Sequence, residues 1–203
     1  MIVLLALIYA GAPADGEAAL RPVRVIGNPV ADAVGLKPYT AFQSMFDASA
    51  NAGARNYWKA HYLSHPPSES IDILCEHALR MTSKESVIGM LSLGGAVSGQ
   101  PAESTPYPHR GAAWVMNIQS RWREAAEDAR HIAWSRELFE AMTPFATGGV
   151  YVNFISGDEG AERVRAAYGD RTYERLAALK QEWDPENFFH LNQNVMPAKC
   201  DRP

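Results

Sequence analysis

The chain opens on an almost unbroken aliphatic run, Ile-Val-Leu-Leu-Ala-Leu-Ile-Tyr-Ala over residues 2–10. Such a run predicts a strand covered on both faces, and Gly11-Ala12-Pro13 ends it. Residues 15–20 suit a short helix. Pro22, Gly27-Asn28-Pro29 and Gly35 then punctuate loops and short strands, and residues 40–46 form one or two helical turns. The aromatic density of residues 57–63 predicts a strand that Pro66-Pro67 stops. In the helix that follows, Ser68 is placed to cap, Glu69 lies in the first turn, and Ile71, Leu74, Cys75, Ala78 and Leu79 share one face.

Residues 86–93 return to strand composition before Gly94-Gly95. The Gly-, Pro-, Ser- and Thr-rich stretch 96–110 reads as a loop, and a loop that long is usually functional or mobile. Residues 112–119 form another strand. The longest helical pattern runs from Trp122 to Met142, with Trp122, Ala126, Ala129 and Ala133 on one stripe, and Pro144 closes it. Gly148-Gly149 opens a strand over 150–155, and two helices follow at 161–168 and 172–183, the second with Leu176, Leu179 and Trp183 on one side. Strands and helices mix without regular alternation, which predicts an α+β fold with a largely antiparallel sheet flanked by helices.

Composition narrows the partners. With 203 residues, 47% hydrophobic and 21% charged, the chain can bury a core as one domain, or one domain with an appendage. Its net charge of -4 is interspersed, so no positive stripe favours nucleic acid or an anionic membrane. The opening run lacks a basic lead and is shorter than the roughly 20 apolar residues that span a bilayer, so a soluble, cytoplasmic chain is expected. Cys75 and Cys200 read as a core thiol and a tail thiol. His61 and His65 stand four apart, but on a strand running into Pro-Pro that spacing does not converge on a metal, and no metal is expected. His77 and His131 read as surface or core residues. No Gly-x-Ser-x-Gly elbow and no dinucleotide-binding glycine fingerprint is present.

The most specific signal lies after Gly148. Gly-Gly-Val-Tyr-Val-Asn-Phe is followed by Arg165-Ala-Ala-Tyr-Gly169, Tyr173-Glu-Arg-Leu-Ala-Ala-Leu-Lys180, Trp183-Asp-Pro-Glu-Asn-Phe-Phe189 and Asn192-Gln-Asn-Val-Met-Pro197. In order and spacing these pieces resemble the carboxy-terminal segment of berberine bridge enzyme-like FAD-linked oxidases. Tyr9-Ala-Gly11, residues 38–43, Tyr57-Trp-Lys59, residues 93–97 and Thr105-Pro-Tyr-Pro-His-Arg110 resemble earlier parts of the same family. The resemblance implies a partial substrate-binding α+β domain over 1–147 and a berberine-like segment over 148–203 that returns toward the flavin. Family members carry a further FAD-binding region, in which a His and often a Cys join the flavin covalently. FAD is therefore implied by resemblance but is not expected to be held by this chain alone, and the implied partners are a small-molecule substrate and an amino-terminal FAD-binding half.

Strand alternation would place Tyr151 and Asn153 on one face. By resemblance Tyr151 sits on the substrate side, as a proton acceptor if its phenol is acidified and otherwise as a hydrogen-bond and packing partner. A free phenol ionises near about 10, so the first role needs a nearby positive charge or a strong donor. Asn153, Asn192 and Asn194 can pair with a flavin edge or serve as turn and capping residues. His109 and Arg110 resemble a family pair that positions a pyrophosphate or an acidic surface; the alternative is a loop salt bridge. Tyr39, Gln43, Trp58, Lys59 and Tyr107 line a substrate cavity or belong to the core. Two functions remain open: the substrate-side part of an FAD-dependent oxidation of a small alcohol, sugar or secondary metabolite, or a non-catalytic fragment or binding domain. A large exposed apolar face would favour the fragment, and a third reading, an unrelated α+β ligand-binding domain with a chance tail, is separated from both by whether 150–155 and 192–194 face one groove, as a single flavin edge requires.

Overall fold

Along residues 114–122 one set of alternate side chains is Trp, Met, Ile, Ser and Trp, while the other is Val, Asn, Gln and Arg. In the computed structural model, which describes residues 2–199, this run is β3 (Trp114–Trp122), the middle of an antiparallel sheet ordered β1-β3-β2. Its neighbours are β1 (Arg55–Leu63) and β2 (Val87–Ser92). Lys59, Ile118 and Ile88 share one row of the register, and Ala60, Asn117 and Gly89 share the next. The two faces therefore differ in chemistry.

The back face is apolar. Leu63, Met116 and Ile118 pack with Leu74 of α3 (Ser68–Leu79) and with Trp134, Leu138 and Met142 of α4 (Asp128–Met142). Polar groups in this layer are paired: the Trp134 indole N–H donates to the His77 carbonyl at 3.1 Å, and the Thr82 hydroxyl meets His131 Nδ1 at 2.7 Å. On the front face, Ala60 packs with Val150, Ile155 and with Val164 and Ala167 of α5 (Ala161–Tyr168), while Tyr62 packs with Ala112 and Val115. Gly169, at φ 70°, separates α5 from α6 (Asp170–Trp183); a left-handed backbone there suits glycine. These elements belong to a unit that begins at Gly53. The preceding unit holds α1 (Pro13–Arg24), the short α2 (Tyr39–Gln43) and a 3₁₀ segment at Ser44–Ala50, with Arg24 paired to Glu17 and Asp32 at 2.8 Å each. Among the described residues no helix is long and apolar enough to cross a membrane.

The α+β class and the antiparallel sheet stand, but several elements differ. Residues 2–10 join no strand, and Ile2, Val3 and Leu4 are exposed, because apolar composition makes a strand only where a neighbour supplies the ladder. α1 runs past Pro22, which near a helix end removes one bond rather than breaking the element. Ser68 begins α3 without capping it. The buried side of α3 is Ser70, Leu74 and His77, which leaves Cys75 exposed; Cys200 lies outside the described residues. Trp122 ends β3 instead of opening a helix, since it pairs with Arg55 and its indole N–H donates to Asp128 at 2.8 Å. The face of α4 is accordingly His131, Trp134, Ser135, Leu138 and Met142, not the alanine stripe. On α6, Ala177 is buried while Leu179 and Trp183 are exposed.

These faces make a differential prediction. Leu138→Ala should cost about 2–5 kcal/mol in urea unfolding, as deletion in a closed core does, whereas Leu179→Ala should stay within about 0.5 kcal/mol.

Candidate functional site

The segment 150–155 also departs from strand expectation, and backbone bonding explains it. Gly148, at φ 90°, turns the chain after Ala146 and Thr147 have taken the end of β1, through a bridge to Leu63 and a Thr147 N–H to Tyr62 carbonyl bond of 2.9 Å. The chain then closes on itself as a 3₁₀ turn at Val152–Phe154, with Phe154 N–H donating to the Tyr151 carbonyl at 2.8 Å. It regains β1 through one side chain. Ser156 Oγ donates to the Trp58 carbonyl and accepts the Trp58 N–H at 3.1 Å, so one hydroxyl satisfies both outward groups of an edge residue.

Beyond Ser156 the strap wraps to the back of β1. Asp158 accepts from the Tyr57 phenol and from Arg136, each at 2.8 Å. Glu159 pairs with Lys59 at 3.4 Å and Arg163 at 2.8 Å, and the Lys59 and Glu159 side chains are only 10% and 5% exposed. Burial opposes ionisation of Asp158, but Arg136 and the Tyr57 phenol outweigh it and hold the carboxyl below its ordinary value.

On the front face this anchoring presents Tyr151 and Asn153 together. Asn153 Nδ2 donates to the Tyr151 phenol oxygen at 2.8 Å. Rings continue from that point in both directions: Tyr151 meets Phe154 edge-on at 5.1 Å and Tyr107 at 6.2 Å, Phe154 meets Trp58 at 6.3 Å, and Tyr107 meets Tyr62 at 6.2 Å. Tyr62 is wholly buried, and burial, followed by the Tyr107 and Tyr151 phenols, pushes its own phenol far above the usual range. A depression of about 230 Å³ opens beside these rings, lined by Thr105, Tyr107, Tyr151, Asn153 and Tyr168 among others.

The family model for berberine and berberine-like proteins matches residues 150–196, the span from the buried start of the strap to the end of the asparagine-rich tail. A monolignol oxidoreductase of Arabidopsis thaliana is 30% identical over 156 residues, covering 70% of this chain and 29% of that protein. An FAD-linked oxidoreductase of Dictyostelium discoideum is 23% identical over 200 residues, covering 97% of this chain and 43% of that one. The chain belongs to the berberine bridge enzyme-like family. Its fold matches the crystal structure of 6-hydroxy-D-nicotine oxidase from Arthrobacter nicotinovorans with a TM-score of 0.75 at 23% identity, over 93% of this chain and 43% of that one. The chain thus spans less than half the length of these relatives.

Within this berberine-like segment the structure separates residues that sequence alone grouped. Asn192 and Asn194 line a second depression of about 510 Å³ with Ile155, Glu159 and Gln193, and share no lining residue with the Tyr151 and Asn153 depression. Asn192 takes a left-handed turn at φ 61°, and Asn194 Nδ2 contacts Met196 Sδ at 3.2 Å. His109 is half-buried against Tyr62 at a ring distance of 4.7 Å and bonds the Ala166 carbonyl at 2.9 Å; partial burial lowers its basicity. Arg110 ties its own loop through the Val97 carbonyl and Thr105 and lies over the Tyr107 ring. Trp58 and Tyr107 stand on the aromatic front. Lys59 points to the back, over the Phe139 ring and toward Glu159. Tyr39 and Gln43 are exposed on α2 in the other unit. His61 stacks on Phe139 and bonds its carbonyl through Nε2 at 2.9 Å.

Asn117 and Gln119 went unread as site residues. Their odd-numbered places in the alternation of β3 put them on the front face beside Ala60 and Trp58, and Asn117 Oδ1 and Trp58 Nε1 are buried without a hydrogen-bond partner. Each such orphan costs about 1–3 kcal/mol unless something pairs with it. The alternation itself was the available signal.

Two measurements test the anchoring. A Cβ at Gly149 would sit 2.2 Å from the His109 ring, so Gly149→Ala should destabilise by about 1–3 kcal/mol in urea melts. Because the folded carboxyl of Asp158 is depressed, its stabilisation is complete above the unfolded carboxylate value near about 4 and disappears as pH falls through the lower folded value. Asp158→Asn should therefore be less stable than wild type near neutrality and lose less on acidification, read as thermal midpoints between about pH 6 and pH 3.

Proposed function

We infer that this chain forms the substrate-side wall of an FAD-dependent oxidoreductase acting on a small organic alcohol, sugar or secondary metabolite, with Tyr151 as the residue at the proton-transfer position and Asn153 as its orienting donor. The observation that carries the reading is the 2.8 Å Asn153 to Tyr151 hydrogen bond at the head of an aromatic ledge, inside the segment that matches the berberine family model. FAD, when bound, would supply the acceptor for the electron pair. The amide of Asn153 fixes the position of the Tyr151 phenol oxygen, and its remaining donor and carbonyl can meet a flavin edge.

The other residues supply placement. Trp58, Phe154 and Tyr107 offer ring faces and edges to a planar substrate, while Asn117 Oδ1 and Trp58 Nε1 are an acceptor and a donor with unused capacity on the same sheet face. An alcohol hydroxyl, which both donates and accepts, has Thr105, Tyr107, Tyr151 and Asn153 as partners in the depression. The relatives' names fit this class, since one acts on monolignols.

The test is a chimera in which this chain replaces the matching 29% of the Arabidopsis relative. It should retain a flavin absorbance band and oxidise an alcohol substrate. Tyr151→Phe should keep the band and lower kcat by about 10²–10⁴-fold with KM little changed, as loss of a proton-transfer group does. A Tyr151→Phe chimera at full rate would remove Tyr151 from the chemistry. A yellow chimera with no turnover on any alcohol would favour a non-catalytic module.

A further inference from the structure

Among the described residues no carboxylate pairs with Arg110, whose guanidinium lies over the Tyr107 ring. Its Nη1 donates to the Val97 carbonyl at 3.0 Å and its Nη2 to Thr105 Oγ1 at 2.7 Å, both neutral oxygens, while its Nε–H is buried without a partner. The one carboxylate in the surrounding loop, Glu103, pairs with Arg171 instead. A half-buried cation shielded from part of its water and from every anion carries an uncompensated charge.

Thr105 passes that charge on to the depression beside Tyr151. A threonine hydroxyl has one proton to give and two lone pairs with which to accept. Both lone pairs of Thr105 are taken, by Arg110 and by the Tyr107 N–H at 3.3 Å, so the proton is what it has left to offer a ligand. Thr105 is exposed and lines the depression of about 230 Å³ together with Tyr107, Tyr151 and Asn153. A hydroxyl whose oxygen already accepts from a cation is a strengthened donor, and the acceptor that gains most from it is an anion.

The depression thus has two unlike sides, and Tyr107 contacts both, with its ring 6.2 Å from that of Tyr151 and 5.6 Å from the Arg110 guanidinium carbon. On the Tyr151 side the Asn153 amide carbonyl can accept the proton of an alcohol. On the Thr105 side stand a donor and, behind it, a positive charge. Val150 and Ala167 add apolar wall, and a volume below the roughly 300 Å³ at which drug-sized cavities begin suits a single ring.

We propose that Thr105, polarised by Arg110, is a substrate-binding residue that receives a carboxylate, and that the substrate class is a single-ring aromatic alcohol bearing a carboxylate. The alcohol end rests on the reading given under Proposed function, whereas the carboxylate end stands on Thr105 and Arg110 alone.

Equilibrium dialysis of the full chain tests the carboxylate end without any turnover. The probes are para-(hydroxymethyl)benzoate and para-benzenedimethanol, which share the ring and one alcohol and differ in carrying a carboxylate or a second hydroxymethyl group. The acid should be held about ten-fold or more tightly, as a charge-assisted hydrogen bond is against a neutral one. Thr105→Val and Arg110→Gln should each bring the acid to the level of the neutral probe, and Thr105→Ser should keep the preference. Thr105 is exposed, so its variants read the site even where Arg110→Gln loosens the loop. Equal binding of the two probes, or no saturable binding of the acid, overturns the proposal. A preference that survives both Thr105→Val and Arg110→Gln places the anion elsewhere and overturns it as well. A Tyr151→Phe chimera at full rate would end the proton-transfer role and leave the carboxylate site standing; a chimera that oxidises neutral alcohols while the chain shows no acid preference would do the reverse.

Discussion

An outer strand carries a row of backbone amides and carbonyls that must find partners, and the fold turns on how β1 meets that requirement. Its upper end is bridged at Leu63 and Tyr62 by residues 146 and 147, and at Trp58 the hydroxyl of Ser156 serves as both acceptor and donor. Between those two attachments the chain has more residues than a straight strand would use. It spends them in the 3₁₀ turn that carries Tyr151 and Asn153. The site is therefore a consequence of edge closure: the loop is pinned at both ends and projects its polar residues outward in the middle.

Charge and aromaticity divide between the two sides of that strap. Behind β1, Asp158 and Glu159 meet Lys59, Arg136 and Arg163 in a network whose innermost pair is nearly dry, and breaking one partner of such a pair costs about 3–5 kcal/mol. In front are rings, a half-buried histidine, amides and the Arg110 guanidinium over Tyr107. Strand alternation produces this division without any further device, because Lys59 and Trp58 are neighbours in sequence and opposite in direction. The ion pairs behind β1 hold the strap from one side, while the rings and amides stand on the other.

The fold that carries this division matches that of a longer relative, of which the chain spans 43%. The apolar run at residues 2–10 and the aromatic turn after α6 are both exposed, yet they differ in kind. The first has no sheet partner, whereas the second is bonded into a defined shape by Asp184.

Residue pattern by itself determined the α+β class, the strands at 55–63, 87–92 and 114–122 to within a few residues, the helices after Pro67 and Gly160, and the family. Those features follow from local period, turn chemistry and motif spacing, which are properties of neighbours along the chain. Tertiary structure decided which helix faces are buried, why residues 2–10 and 150–155 are not strands, and that Lys59 serves the back of the sheet rather than the substrate side. It also parted Asn192 and Asn194 from Tyr151 and Asn153, placing them in separate depressions. The reason is common to all of these: a strand, a buried face or a shared site exists only where a distant segment supplies the hydrogen bonds and the cover, and spacing along the chain does not say which segment arrives.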